Sequence, residues 1–236
     1  MKNVEVQNAL LVQVSEALGP ELCKEMTFVG GCTTGLLLTD PFTKEQVRHT
    51  DDVDLIVHVM GYAGYAKLQE VLQKRKFSIV MPEDDDVPPT CAMQLGDLRV
   101  DIMPDDEAIL GFSNRWYRDA IESAQDYPLT AEIVIKLVHP VMFIATKLEA
   151  WNGRGNGDAL TSRDIEDILH LVDGRPELVA EIAQSQQEVR AFISVELARL
   201  MDDSNFQMAV SSQANTAERE EIIYERLEEI IASGAQ

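Results

Sequence analysis

The chain has 236 residues, 45% of them hydrophobic and 26% charged, which is enough for one large domain or two modest ones with real cores. Lys and Arg number 20 against 41 Asp and Glu, and the net charge of −21 excludes a general basic footprint for nucleic acid. Any polyanion must therefore be met by a few local cations, by backbone N–H groups or through divalent metal, whereas a cationic small molecule or a basic protein surface is drawn in without help.

Three cysteines, Cys23, Cys32 and Cys91, lack CxxC spacing and point to a reduced cytoplasmic protein, not a disulfide scaffold or a zinc site. Residues 1–19, MKNVEVQNALLVQVSEALG, predict an amphipathic helix in which Glu5, Gln7, Gln13 and Glu16 interrupt the apolar positions, so no signal peptide is read there. No window of about 18 uncharged apolar residues exists, and no membrane span is expected.

MTFVGG (26–31) predicts a strand running into a glycine pair, followed by a helix over CTTGLLL. Residues 53–59 predict a buried strand, 62–76 a helix with Tyr65, Leu68, Val71 and Leu72 on one side, and 77–81 another strand. EDDDVPP (83–89) predicts a solvated acidic turn; the EF-hand spacing is missing, so no calcium loop is expected. CAMQL and LRVDIM predict a hairpin turning at Gly96-Asp97.

From Pro140 the texture becomes helix after helix. HPVMFIATKLEAW opens with Pro in the first turn, and TSRDIEDILHLV carries Thr161 or Ser162 as candidate N-caps and Asp173-Gly174 as its C-cap. Residues 176–202 and 216–233 supply further amphipathic helix. The expected fold is α+β: a catalytic domain over 1–138, built on a small mixed sheet flanked by helices, and a helical domain over 139–236.

TDDVDLIV (50–57) places Asp52 and Asp54 at the head of an apolar run, where an unanswered carboxylate is costly. Residues two apart on a strand share a face, so these two are neighbours while Asp51 points away. Carboxylates at that spacing suit a pair of divalent cations. Gly30-Gly31, after a strand and before a helix, offers open backbone N–H groups of the kind that hold phosphates, although the P-loop pattern is absent. Asp101, between Val100 and Ile102, is a third strand carboxylate whose neighbours face the other way.

These residues carry a resemblance. Gly30-Gly31, Asp52-Val53-Asp54 and the lone Asp101 between hydrophobics resemble the signature of the DNA polymerase β-like nucleotidyltransferase superfamily over roughly 26–104. Lys147-Leu148-Glu149-Ala150 and Ser162-Arg163-Asp164-Ile165-Glu166-Asp167 resemble, more loosely, the bacterial branch of AbiEii-type toxin nucleotidyltransferases. The resemblance implies Mg²⁺- or Mn²⁺-dependent transfer of a nucleoside monophosphate from a nucleoside triphosphate such as ATP to an acceptor hydroxyl. Asp52 and Asp54 would ligate both metals and Asp101 the one that activates the acceptor. Gly30, Gly31, Thr33, Thr34, Lys147, Arg163 and Asp164 would contact the nucleotide. The toxin likeness implies a tRNA or protein acceptor and an antitoxin partner.

The spacer before Asp52, with Thr39-Asp40-Pro41-Phe42, is longer than in compact members and adds an expected loop. Cys32 lacks a paired His and is read as a small buried filler. Lys147 beside an apolar stripe either snorkels or reaches the triphosphate; Arg154 in NGRGNGD and Arg48 are further candidate cations. Trp116 and Tyr117 either stack on a base or anchor the core. His49, His58, His139 and His170 show no metal spacing. Two alternatives remain open: an aminoglycoside-type enzyme whose cationic acceptor meets EDDDVPP and Asp105-Asp106-Glu107, and a non-catalytic nucleotide- or partner-binding module.

Overall fold

A computed structural model describes residues 3–80, 91–154 and 157–234. EDDDVPP, the last residue of the strand expected at 77–81, and Gly155-Asn156 of the glycine-rich loop lie outside the described residues. The fold is α+β, a seven-stranded mixed sheet with helices plus a helical unit.

In chain order, α1 (Asn3–Glu25) leads into β1 (Met26–Val29), a 3-10 turn (Gly31–Thr33), α2 (Thr34–Leu37) and α3 (Pro41–Lys44). Next come β2 (Asp52–Val57), α4 (Gly61–Lys74), β3 (Phe77–Ile79), β4 (Ala92–Leu95), β5 (Leu98–Pro104), α5 (Glu107–Leu110) and α6 (Tyr117–Glu122). Strands β6 (Gln125–Pro128) and β7 (Val134–Leu137) close the sheet. The rest is helical: α7 (Pro140–Arg154), α8 (Arg163–Gly174), α9 (Leu178–Ala183), α10 (Gln187–Met201), α11 (Ser204–Ala214) and α12 (Ala217–Ser233).

The chain divides into two compact units, residues 1–33 with 48–139, and residues 34–47 with 140–236. The single boundary expected at 138/139 is thus joined by an excursion: residues 34–47 leave the first unit and belong to the second. Helix α2 falls within the expected helix, the part of the spacer expected as a loop holds α3, and both helices pack on α8. The spacer's local chemistry explains this. Asp40 caps α3 by accepting from Thr43 N at 2.8 Å, Pro41 occupies the first turn, and Thr43 is fully buried.

Strand order in the first unit is β3-β4-β5-β2-β1-β7-β6, with β2/β5 and β1/β7 parallel and the other neighbours antiparallel. All four residues of β1 are buried, as expected of an inner strand covered on both faces. In β2 the alternation is clean at the start: Val53 and Leu55 are buried while Asp52 and Asp54 are half-buried. Strand β5 repeats it, with Val100 and Ile102 inside and Arg99 and Asp101 on the other face. The hairpin turn falls where expected, with Gly96 at φ 65°.

Helix α1 continues past the expected end at residue 19 and kinks at Gly19-Pro20, where Arg75 donates to the Leu18 carbonyl. No helix among the described residues is long and apolar enough to cross a membrane.

In the second unit, Ser162 is the N-cap of α8, accepting from Ile165 N at 3.3 Å. The helix closes at Gly174 as expected, with Arg175 as its C-cap. Gly174 is needed for close approach: a Cβ there would collide with Leu38 and Thr43, and its carbonyl accepts from both Thr39 N and Asp40 N at 2.9 Å. The glycine that reads as a helix stop is the seat for the 34–47 excursion.

Candidate functional site

Three of the predicted residues meet in the first unit. Asp54 is the register partner of Asp101, and Asp52 that of Arg99, on the parallel pair β2/β5. Neighbouring strands lie about 4.8 Å apart, so the three carboxylates occupy adjoining positions on one face. On the other side of β2, Val29 is the partner of Asp54, and Gly30 follows it at once.

Gly30 has φ 73°, a conformation that favours glycine, and a Cβ built on it would overlap the Asp54 carboxylate. The first glycine of the pair therefore serves two needs, the sharp exit from β1 and room for Asp54. Gly96 shares the positive φ but has open space around it. Gly96→Ala should cost about 1–2 kcal/mol, the backbone share alone. Gly30→Ala should cost more, roughly 3 kcal/mol, because the carboxylate must also move. Denaturant midpoints of the two variants measure the difference, and equal losses would show that Asp54 does not rest on Gly30.

Beyond the glycines the expected helix is a single 3-10 turn and a four-residue α2, so no sustained helix dipole faces this turn. The Asp40-Pro41 step ends it. Thr33 turns its hydroxyl back to the Gly30 carbonyl at 2.8 Å and is fully buried, bracing the turn. Thr34, also fully buried, donates to Asp167 Oδ1 at 3.4 Å in the second unit.

Asp52 accepts from the Thr50 hydroxyl at 2.5 Å. Asp101 is held on both oxygens by Arg99, Nε to Oδ1 at 2.9 Å and Nη2 to Oδ2 at 2.8 Å. This fork raises the Arg99 pKa above its ordinary value, chiefly through the hydrogen bonds to Asp101. Arg99 was not singled out in the sequence, yet Arg99-Val100-Asp101 on a strand shows the signal: residues two apart share a face.

The donor set suits a hard divalent cation, being all oxygen and adjacent in register. As the side chains stand, no group of three or more His, Cys, Asp or Glu among the described residues is placed to hold a metal ion. Both oxygens of Asp101 accept from Arg99 instead. The backbone brings the three aspartates together; the side chains do not yet converge.

Cys32 lies under this face. Burial, then Asp54, then Asp52 push its thiol up, with Arg48 opposing. Burial and then Asp101 push Cys91 up to about 12. Cys23 is raised too, mainly by burial. All three are buried free thiols, so Cys32 is a filler and not a nucleophile. Iodoacetamide at pH 8 should label none of the three in the folded protein and all three in denaturant; rapid labelling of Cys32 in the folded state would contradict its burial.

The remaining candidates lie elsewhere. Lys147, neither snorkelling nor unanswered, is buried in the second unit between Asp164 at 3.1 Å and Asp167 at 2.7 Å. Arg154 reaches Asp164 at 3.2 Å, and Arg163 is exposed. Trp116 is buried, with Arg115 over its ring, and Tyr117 donates to Met103 Sδ at 3.1 Å, so both anchor structure. Asp105 faces His58 at 2.8 Å and Arg118 at 3.6 Å, while Asp106 caps α5 through Ala108 N, so these two of the acids expected to draw a cationic acceptor have local work. His170 is buried, its ring nitrogens 3.0 Å from the Glu166 and Gln46 carbonyls.

A scan against protein-family models finds no match, and neither does a search of curated proteins. Among solved structures the chain is similar to the crystal structure of an antigenic nucleotidyltransferase-like protein from Paracoccidioides brasiliensis. The identity is 20% over 90% of this chain and 91% of that one, with a TM-score of 0.47. A likeness at that score carries no argument about chemistry. The weight rests on the carboxylates themselves.

Proposed function

We propose that this protein is a divalent-metal-dependent nucleotidyltransferase that moves a nucleoside monophosphate from a nucleoside triphosphate to an acceptor hydroxyl. The observation that carries the reading is the register of β2 on β5, which sets Asp52, Asp54 and Asp101 side by side at a glycine whose missing side chain admits Asp54. Three half-buried strand carboxylates on one face repel one another, and a cation they share would answer that repulsion.

In the reaction, the acceptor oxygen forms a bond to the α-phosphorus, the bond to the bridging oxygen breaks, and pyrophosphate leaves. Asp52 and Asp54 would hold Mg²⁺ or Mn²⁺, and Asp101 would join them as a ligand and take the hydroxyl proton. When bound, the metal neutralises charge building on the phosphate oxygens. Gly30-Gly31 leaves the backbone open beside Asp54 for the triphosphate. Lys147 and Asp164 receive no nucleotide role in this proposal, since each is already answered by charge within the second unit.

The acceptor classes the sequence suggests are a tRNA end, as in a toxin with an antitoxin partner, or a protein side chain. The net charge of −21 favours a third, a cationic small molecule of aminoglycoside type. Incubation with Mg²⁺ and each radiolabelled triphosphate, offering total tRNA, cell-lysate protein or aminoglycosides, decides among them. Label on one acceptor names the class, and no label on any of them with Mg²⁺ or Mn²⁺ overturns the enzyme. The same additions should raise the melting temperature, since metal and triphosphate at about 100 times their Kd add roughly 2.7 kcal/mol to the native state.

A further inference from the structure

We propose that Arg99 is a built-in counter-ion that keeps the carboxylate site closed by holding Asp101, and that a divalent cation must displace it before the three aspartates act together. The proposal rests on the metal-dependent reading above and concerns how that same site is regulated.

The geometry is that of a competitor for the ligand. Arg99 and Asp101 are two apart on β5 and so share a face, and the guanidinium fork occupies both carboxylate oxygens at 2.8 and 2.9 Å. A fork of this kind is the strongest single-residue substitute for a metal at a carboxylate, because charge and direction are matched on both oxygens. As the register partner of Asp52, Arg99 also stands beside the first aspartate of the pair.

The latch is built to open. The Arg99 side chain is 46% exposed, whereas that of Asp101 is 14% exposed. The carboxylate is therefore fixed while the cation holding it sits at the solvent side. On the next strand the positions opposite Arg99 and Asp101 are Gln94 and Ala92, so no charged residue holds the guanidinium from that side. Without such a counter-ion, three like charges in adjoining register would strain the metal-free protein. One residue therefore does two things: it relieves repulsion in the resting state and sets a threshold for metal entry.

The test is calorimetric titration of Mn²⁺ into the full chain and into Arg99→Met, Arg99→Lys and Asp101→Asn. Arg99→Met should bind Mn²⁺ about fivefold more tightly, the factor expected when a partly exposed ion pair no longer competes. Arg99→Lys keeps the charge but loses the fork, so it too should bind more tightly than the wild type. The metal-free melting temperature of Arg99→Met should fall and be restored by Mn²⁺. Adding Arg99→Met to Asp101→Asn should leave the metal-free melting temperature unchanged. Tightening in Arg99→Met but not in Arg99→Lys would mean general charge and not a latch, and would overturn the proposal. Equal affinity in wild type, Arg99→Met and Arg99→Lys overturns the latch and leaves the enzyme reading standing. Absence of Mn²⁺ binding in every variant overturns both.

Discussion

Asp54→Asn is expected to lose nucleotidyl transfer by roughly a thousandfold, equivalent to about 4 kcal/mol of barrier, the scale of a lost metal ligand in phosphoryl transfer. Its melting temperature should hold or rise. Asp54 is the register partner of Asp101 and lies two residues from Asp52, so removing one charge from the face relieves repulsion there. The pairing of those two outcomes is what distinguishes a ligand from a structural acid: loss of a structural carboxylate costs stability, loss of a ligand costs rate. Asp51→Asn is the internal control, since Asp51 is exposed and on the opposite side of the alternation, and transfer should be unchanged. Label transfer by Asp54→Asn at the wild-type rate would remove the catalytic reading; so would a collapse of the fold in Asp54→Asn, which would make the carboxylate a structural one.

The acidic excess is organised, with several cations drawn to particular acids. In the first unit Arg99 answers Asp101. In the second, Lys147 answers Asp164 and Asp167, and Arg219 answers Asp173 at 2.7 Å, with Thr43 and Asp40 in the same cluster. Arg226 adds a bond to the Val172 carbonyl at 2.8 Å. With 41 acidic residues against 20 basic ones, specificity for a polyanion must come from the candidate site and not from bulk attraction.

Much of this was legible before any coordinates. β2 and the β4–β5 hairpin announce themselves by alternation and a Gly-Asp turn, and the aspartates stand out because they interrupt it. Helices α7 and α8 were visible from periodicity and from Pro140 and Ser162. What escaped has physical reasons. β6 is QDYP, largely exposed, and holds its place by pairing with β7 and not by its own pattern. The α2–α3 excursion is too short to show a period, and its membership in the second unit depends on contacts with α8 far along the chain. Lys147 looked like a snorkelling lysine because a neighbouring apolar stripe says nothing about what lies across the packing. The missed clue was on α8, where Asp164 and Asp167 are three apart and so share one helix face. The sequence marks Arg99 less clearly, since an exposed arginine on a strand is common and only its bond to Asp101 sets it apart.

That buried triad in the second unit yields the second large effect. Lys147→Met should destabilise the protein by about 3–5 kcal/mol, chiefly the cost of leaving the fully buried Asp167 without its cation, since Arg154 still reaches Asp164 at 3.2 Å. Lys147 lies at 11% side-chain exposure, Asp164 at 4% and Asp167 at 0%, so water cannot take over its role. Methionine keeps the length of the stem, and the contact of the lysine with the Phe143 ring, 5.7 Å from the ammonium to the centroid, is with an apolar surface that a thioether also suits. Packing is thus nearly conserved and the loss isolates charge. Two consequences follow from the sign. Because the strained form of the variant is the ionised one, its folded state takes up protons more readily than its unfolded state, and the deficit should narrow as pH falls from 8 towards 4. Adding Asp164→Asn and Asp167→Asn should recover part of the loss at pH 8, since neutral amides carry no uncompensated charge. Urea unfolding at both pH values measures all of this. A deficit under about 1 kcal/mol at pH 8, the value of an exposed pair, would show that water reaches the triad after all.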